Sequence, residues 1–165
     1  MPARCANANA RATRASLDAM RPVVVCLINQ QRTKRGLPAL TVSPQLNSSA
    51  QAWTSVMVAS GNFSHGPGTA FASRISAAGY DWRVAGENIA TGYPTPSAVV
   101  SAWMASSDHC RNVLDPSFRN VGTGEVPAAV GAASTDPATW TQDFGLRASQ
   151  SPLPGNTRPE NGCPY

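Results

Sequence analysis

Four cysteines, Cys5, Cys26, Cys110 and Cys163, are spread from one end of this 165-residue chain to the other, and none stands in a C-x-x-C pair. The spacing of a zinc knuckle or a thioredoxin motif is therefore absent. An even number of cysteines distributed this way points to two disulfides and an oxidising compartment. Four cysteines allow three pairings, and spacing does not choose among them.

The length fits one domain, with room for loose ends. Charged residues make up 13% of the chain, about half the usual share. With 13 Gly and 14 Pro this describes a loop-rich fold. Trp, Phe, Val, Leu and Ile recur in patterned runs, which argues against disorder. The net charge of +4 raises the question of nucleic acid. Seven of the 13 basic residues precede Gly36, mostly as singles, and only Arg32, Lys34 and Arg35 cluster. No basic run is interleaved with aromatics, so no specific nucleic-acid partner is expected. A diffuse attraction to an anionic cell-wall or membrane surface fits the charge better. No apolar run approaches the roughly 18 residues of a membrane span. Arg4, Arg11 and Arg14 break up the start, which lacks the apolar core of a signal peptide. The expectation is a secreted protein seen in processed form, with Met1 added.

Residues 1–16 show no periodicity. A helix is expected from Leu17 or Pro22 to Arg35, with Leu17, Met20, Val24, Leu27 and Ile28 as its buried stripe and Gly36 as its cap. A second opens at Ser43-Pro44, an N-cap followed by a proline in the first turn, and stops at Gly61. A short third covers about 70–78. A fourth opens at Thr95-Pro96 and ends near Ser106. Asn88–Thr91, Asn120–Val126 and Thr139–Phe144 read as strands, the last with Trp140, Gln142 and Phe144 on one face and Thr141 and Asp143 on the other. Prolines and glycines forbid regular structure from Ala148 onward. The division is an arm over 1–19, a domain over 20–147 and an irregular tail over 148–165. Helices followed by late strands predict an α+β domain with helices covering a small sheet.

Only two histidines exist, His65 and His109, and both are placed in loops just past helix ends, where functional groups concentrate. Glu87 follows Gly86 at the entry to a buried strand, where a carboxylate is costly unless paired. Two His and one Glu form a known zinc-ligand set with a fourth position open to water. Such a water becomes nucleophilic near neutral pH. The same trio also makes a metal-free acid–base cluster. No H-E-x-x-H, G-x-S-x-G or P-loop motif is present. Arg74, Tyr80, Trp82 and Arg111 read as packing or surface residues.

Cys26-Leu27-Ile28-Asn29-Gln30-Gln31-Arg32 followed by Gly36-Leu37-Pro38-Ala39-Leu40 resembles the opening helix of bacterial CAP-domain (SCP) proteins. Phe63-Ser64-His65, Gly86-Glu87-Asn88-Ile89-Ala90, Trp103-Met104, His109-Cys110-Arg111-Asn112-Val113-Leu114 and Trp140-Thr141-Gln142-Asp143-Phe144 follow in family order. The resemblance covers about residues 20–146 and is strongest to secreted actinobacterial members. It implies a three-layer α-β-α sandwich with a mostly antiparallel sheet, an extracellular location and a cleft containing His65, Glu87 and His109. The family's second cleft acid falls on Ser106 here, and Asp108 is the residue that could compensate. In this frame Cys26–Cys110 and Cys5–Cys163 are the implied disulfides. The implied function is a non-catalytic binding module for a lipid, sterol or cell-envelope ligand, with a divalent metal, zinc first, held by His65 and His109 and joined by Glu87. The alternatives are a metal-assisted hydrolase or protease using Glu87 as ligand or general base, and a structural envelope protein whose polar trio only stabilises the fold. Fold likeness alone does not choose between them.

Overall fold

The computed structural model describes residues 4–13, 17–131, 136–152 and 163. Five helices, α1 (Leu17–Thr33), α2 (Pro44–Ser60), α3 (Ala70–Ala77), α4 (Pro96–Met104) and α5 (Ser107–Val113), surround four strands, β1 (Thr41–Val42), β2 (Trp82–Thr91), β3 (Asn120–Val126) and β4 (Thr139–Arg147). The local stop and start signals act as read. Ser43 Oγ accepts the Leu46 N–H at 3.3 Å, and Thr95 Oγ1 accepts the Ala98 N–H at 3.1 Å. Gly61 closes α2 at φ 70°, a conformation costly for any residue with a Cβ. α1 begins at Leu17 and carries Pro22 within it. Two elements were not anticipated. β1 is only two residues long, and α5 places His109 on a helix instead of in the expected loop.

The sheet order is β1-β3-β4-β2, with β1 parallel to β3 and the other pairs antiparallel. α2 packs on one face, against β3 and β4 and beside α3; α1, α4 and α5 form the opposite layer. This is the three-layer α-β-α arrangement. The main core lies under α1, α4 and α5, where Val24, Ile28, Trp103, Val113, Leu114, Trp140 and Phe144 are buried. On the other face α2 meets β3 backbone to backbone. A Cβ at Gly122 would collide with the main chain of Leu46 and Asn47, and one at Gly124 with that of Ala50 and Gln51.

Past its two-residue partner β1, the outer edge of β3 has no strand beside it among the described residues. Side chains complete the hydrogen bonding instead. Thr123 N–H donates to Asn47 Oδ1 and Glu125 N–H to Gln51 Oε1, both at 2.9 Å. Gln51 Nε2 donates to the Glu125 carbonyl and Arg21 Nε to the Thr123 carbonyl, again at 2.9 Å. Buried backbone groups demand such partners, and an open edge invites foreign strands. Arg32 is likewise a structural residue and not part of a basic surface cluster. It is fully buried, donating to the carbonyls of Pro38, Val113 and Asp115. Burial lowers its pKa to about 10, partly offset by Asp115.

The disulfides are Cys5–Cys26 and Cys110–Cys163, which corrects the implied Cys26–Cys110 and Cys5–Cys163. The reason is the path of the arm. Ala12 N–H donates to the Pro94 carbonyl and Ser97 N–H to the Ala8 carbonyl, each at 2.8 Å. The arm is thus held along the start of α4, which packs on α1, and this brings Cys5 to Cys26. The α5 cysteine is left for Cys163. Beyond Cys163, the expected irregular tail after Pro152 lies outside the described residues.

Gly124→Ala is expected to destabilise the protein by about 1–3 kcal/mol through overpacking, seen as a lower urea midpoint at unchanged m-value. An unchanged midpoint would contradict the backbone contact between α2 and β3.

Candidate functional site

β2 is the other edge of the sheet, and the site is built on it. Successive residues of a strand face opposite sides. Glu87 turns toward α2 and α3, and Asn88 toward α5. The step is tight: a Cβ at Gly86 would stand 2.8 Å from the Phe118 ring. The β2 edge carbonyls are capped by side chains. Asn112 Nδ2 donates to the Glu87 carbonyl at 3.1 Å and Trp103 Nε1 to the Ile89 carbonyl at 3.3 Å. Asn88 Nδ2 donates to the His109 carbonyl at 3.1 Å, and Asn112 Nδ2 to Asn88 Oδ1 at 2.8 Å. These bonds sew α5, and with it His109, to the strand that bears Glu87.

The structure brings His65 and Glu87 together: His65 Nδ1 lies 2.8 Å from Glu87 Oε1. The Glu87 side chain is 1% exposed, while that of His65 is 44% exposed. Arg74 completes the cluster and was not recognised from sequence. Its Nη2 donates to both Glu87 oxygens, at 2.9 and 2.8 Å, and its Nη1 donates to the His65 carbonyl at 3.0 Å. The guanidinium lies 3.8 Å from the Trp53 ring centroid, and Trp53 Nε1 donates to the Ser64 carbonyl at 3.0 Å. The 62–68 loop is therefore held by the same residues that hold the carboxylate. One signal was available: Arg74 is the single charged residue of α3, and a buried glutamate needs a cation.

Asp143 was the other omission. It stands directly across β4 from Glu87 and is completely buried. Two facing carboxyls cannot both stay ionised in a dry interior. Burial, then the Glu87 charge and their mutual hydrogen bond, push the Asp143 pKa well above the ordinary value, outweighing Ser49 and Arg74. For Glu87, burial acts upward, but bonds from His65, Asp143 and Arg74 and the Arg74 charge win, and its pKa is lowered. Asp143 is thus biased toward its neutral form beside the Glu87 charge. An ionised Glu87 only accepts, so the neutral His65 ring carries its proton on Nδ1 and leaves the Nε2 lone pair free.

His109 stands apart from this cluster, on the wall of a cavity of about 240 Å³ with Phe63, Ile89, Tyr93, Trp103 and Ser106. Burial lowers its pKa, and the charge of His65 lowers it further, against a smaller upward pull from Asp108. The two rings are close enough to repel when charged. Ser106, at the family's second acid position, lines the same cavity. Asp108 does not compensate: its side chain is 89% exposed and lies 3.7 Å from Arg111. Among the described residues no group of three His, Cys, Asp or Glu is placed to hold a metal ion. Glu87 cannot serve as a direct ligand while both its oxygens face Arg74. The remaining donors are His65 Nε2 and His109, with Glu87 behind His65 as an orienting carboxylate, the usual outer partner of a metal-binding imidazole.

The profile of the cysteine-rich secretory protein family (CAP) matches residues 25–144. YkwD of Bacillus subtilis (strain 168) is 36% identical over 132 residues, which are 78% of this chain and 48% of that protein. An extracellular protein containing a SCP domain from Bacillus anthracis superposes with TM-score 0.70 at 23% identity, covering 82% of this chain and 44% of the other. An outer surface protein from Borrelia burgdorferi gives TM-score 0.66 at 21% identity, covering 76% of this chain and 91% of the other. The chain thus spans about half the length of the curated relative it matches.

Arg74→Met keeps the stem over Trp53 and removes the charge. It is expected to cost about 3 kcal/mol, because a buried carboxylate loses its cation. The depressed Glu87 pKa contributes stability that is present above the ordinary glutamate value and lost as pH falls through the depressed one. Urea titrations over a series of falling pH values should therefore show the loss shrinking once Glu87 protonates. A loss that persists unchanged after Glu87 is seen by NMR to be protonated would contradict the ion pair.

Proposed function

The chain belongs to the cysteine-rich secretory protein (CAP) family, and from that premise we propose that it is an extracellular binding module and not a hydrolase. The observation that carries this reading is the engagement of Glu87. A general base must be free to take a proton, and this carboxylate is fixed by Arg74 and His65 with its pKa lowered. Its role is positioning. It holds His65 with Nε2 outward.

The binding surface would be the cavity lined by His109. At about 240 Å³ it is smaller than most pockets that enclose a whole ligand. It would take one apolar end of an amphiphilic cell-envelope molecule against Phe63, Tyr93 and Trp103, with His109 and Ser106 meeting a polar group. Phe63, 40% exposed, would form the lip. A divalent cation, zinc first, would bind His65 Nε2 and His109 and offer an electrophilic contact to an anionic or carbonyl group of the ligand. Two disulfides and the extracellular and outer-surface descriptions of the structural neighbours support a location outside the cytoplasm. No helix among the described residues is long and apolar enough to cross a membrane.

Calorimetric titration with zinc chloride at pH 7 tests the reading. Binding is expected to be lost in His65→Ala and His109→Ala and weakened by about tenfold in Glu87→Gln, as for an orienting partner. Acid should weaken it as the rings protonate. Wild-type affinity in His109→Ala would contradict the two-histidine site. Turnover of a peptide or ester that Glu87→Gln abolishes would restore the hydrolase reading.

A further inference from the structure

Glu125 is a third buried acid, after Glu87 and Asp143, and nothing in the histidine cleft accounts for it. The residue is 2% exposed, and neither carboxyl oxygen has a hydrogen-bond partner among the described residues. Its backbone N–H and carbonyl are both satisfied by Gln51. Buried carboxyls are normally paired, and an unpaired one calls for a reason. Glu125 lines a cavity of about 320 Å³ between the start of α1, the end of α2 and the end of β3. The other walls are Leu17, Val58, Ala59, Val126 and Pro127, with Gln51 and Ser55. Ser55 and Ala59 are exposed and form the mouth. None of these residues lines the His109 cavity.

The geometry points to a binding site for a small primary ammonium ion carried on a short alkyl chain, with Glu125 as its counter-ion and the aliphatic walls around its chain. A metal ion is a poor fit, because hard cations want several oxygen ligands and this cavity offers one carboxylate among hydrocarbon. A ligand bearing a second negative charge would meet Glu125 unfavourably. An ammonium donates up to three hydrogen bonds to the two orphaned oxygens and neutralises them.

The charged neighbours are few. α1 contributes Arg21, which donates to the Thr123 carbonyl and to Asp18. α2 contains no titratable residue. On β4 the residue opposite Glu125 is Trp140. Burial raises the Glu125 pKa to about 7, slightly opposed by Arg21. Below that value the acid is neutral and a cation gains little; above it the carboxylate is ready. Binding should therefore tighten as pH rises through about 7, by up to about tenfold per unit on the acid side, and then level off. At pH 7 it should release roughly half a proton.

The test is calorimetry of the full chain with n-hexylammonium chloride at pH 6, 7 and 8, in two buffers of different ionisation enthalpy at pH 7. The expected result is saturable binding that tightens with pH and releases protons. It should fall by at least about tenfold in Glu125→Gln. It should also fall in Ala59→Trp, which blocks the mouth without touching the acid. The uncharged n-hexanol should bind far more weakly. Equal affinity for n-hexanol, unchanged affinity in Glu125→Gln, or absence of heat and of chemical-shift change at Val58 and Val126 at millimolar amine would overturn the proposal.

Discussion

A carboxylate sealed from water at a sheet edge is the constraint on which the rest of this site depends. Glu87 can remain ionised there only if the surrounding protein supplies what water would have supplied. Arg74 gives charge and two hydrogen bonds, His65 gives one, and Asp143 gives up its own charge. Each donor is tied to something else. Arg74 is stacked on Trp53 and bonded to the His65 carbonyl, and Trp53 holds the Ser64 carbonyl. The loop bearing His65 is thus an extension of the ion pair. A cluster closed in this way has little freedom to move protons, and its product is a fixed imidazole.

The sheet repeats one solution at both edges. Among the described residues β2 has no outer strand and β3 has one only at its start, and helix side chains supply the missing partners. Asn47, Gln51 and Arg21 serve the first edge, and Asn112 and Trp103 the second. A strand pair would have covered the edge evenly. Side-chain caps leave hollows between them, and the cavities lined by Glu125 and by His109 lie beside these edges. Amide side chains pair with the backbone where the edge needs it, while the acids Glu87 and Glu125 occupy neighbouring positions. One acid is fully matched by protein groups and the other is not.

What could be read from sequence was whatever depends on neighbouring residues or on family order. The starts of α2 and α4 follow from Ser43-Pro44 and Thr95-Pro96, because capping is a matter of three or four consecutive positions. The nearness of His65 and Glu87 came from the resemblance, since 22 positions of separation carry no geometric information. Arg74 and Asp143 were missed because their roles exist only once α3 and β4 are laid against β2. α5 was read as loop since its seven residues offer only Cys110 and Val113 to the core, too few for a period to show. The disulfide pairing went wrong at the arm, whose course is set by hydrogen bonds to Pro94 and Ser97 and by no pattern of its own.

The most direct measurement is the tautomeric state of His65, read from the ring-nitrogen shifts of ¹⁵N-labelled protein at a pH where the imidazole is neutral. Glu87 held as an ionised acceptor requires the proton on Nδ1 and an unprotonated Nε2, with Glu87→Gln eroding that preference. A neutral His65 protonated on Nε2 in the wild-type protein would contradict the account, because Glu87 would then not be the group that orients it.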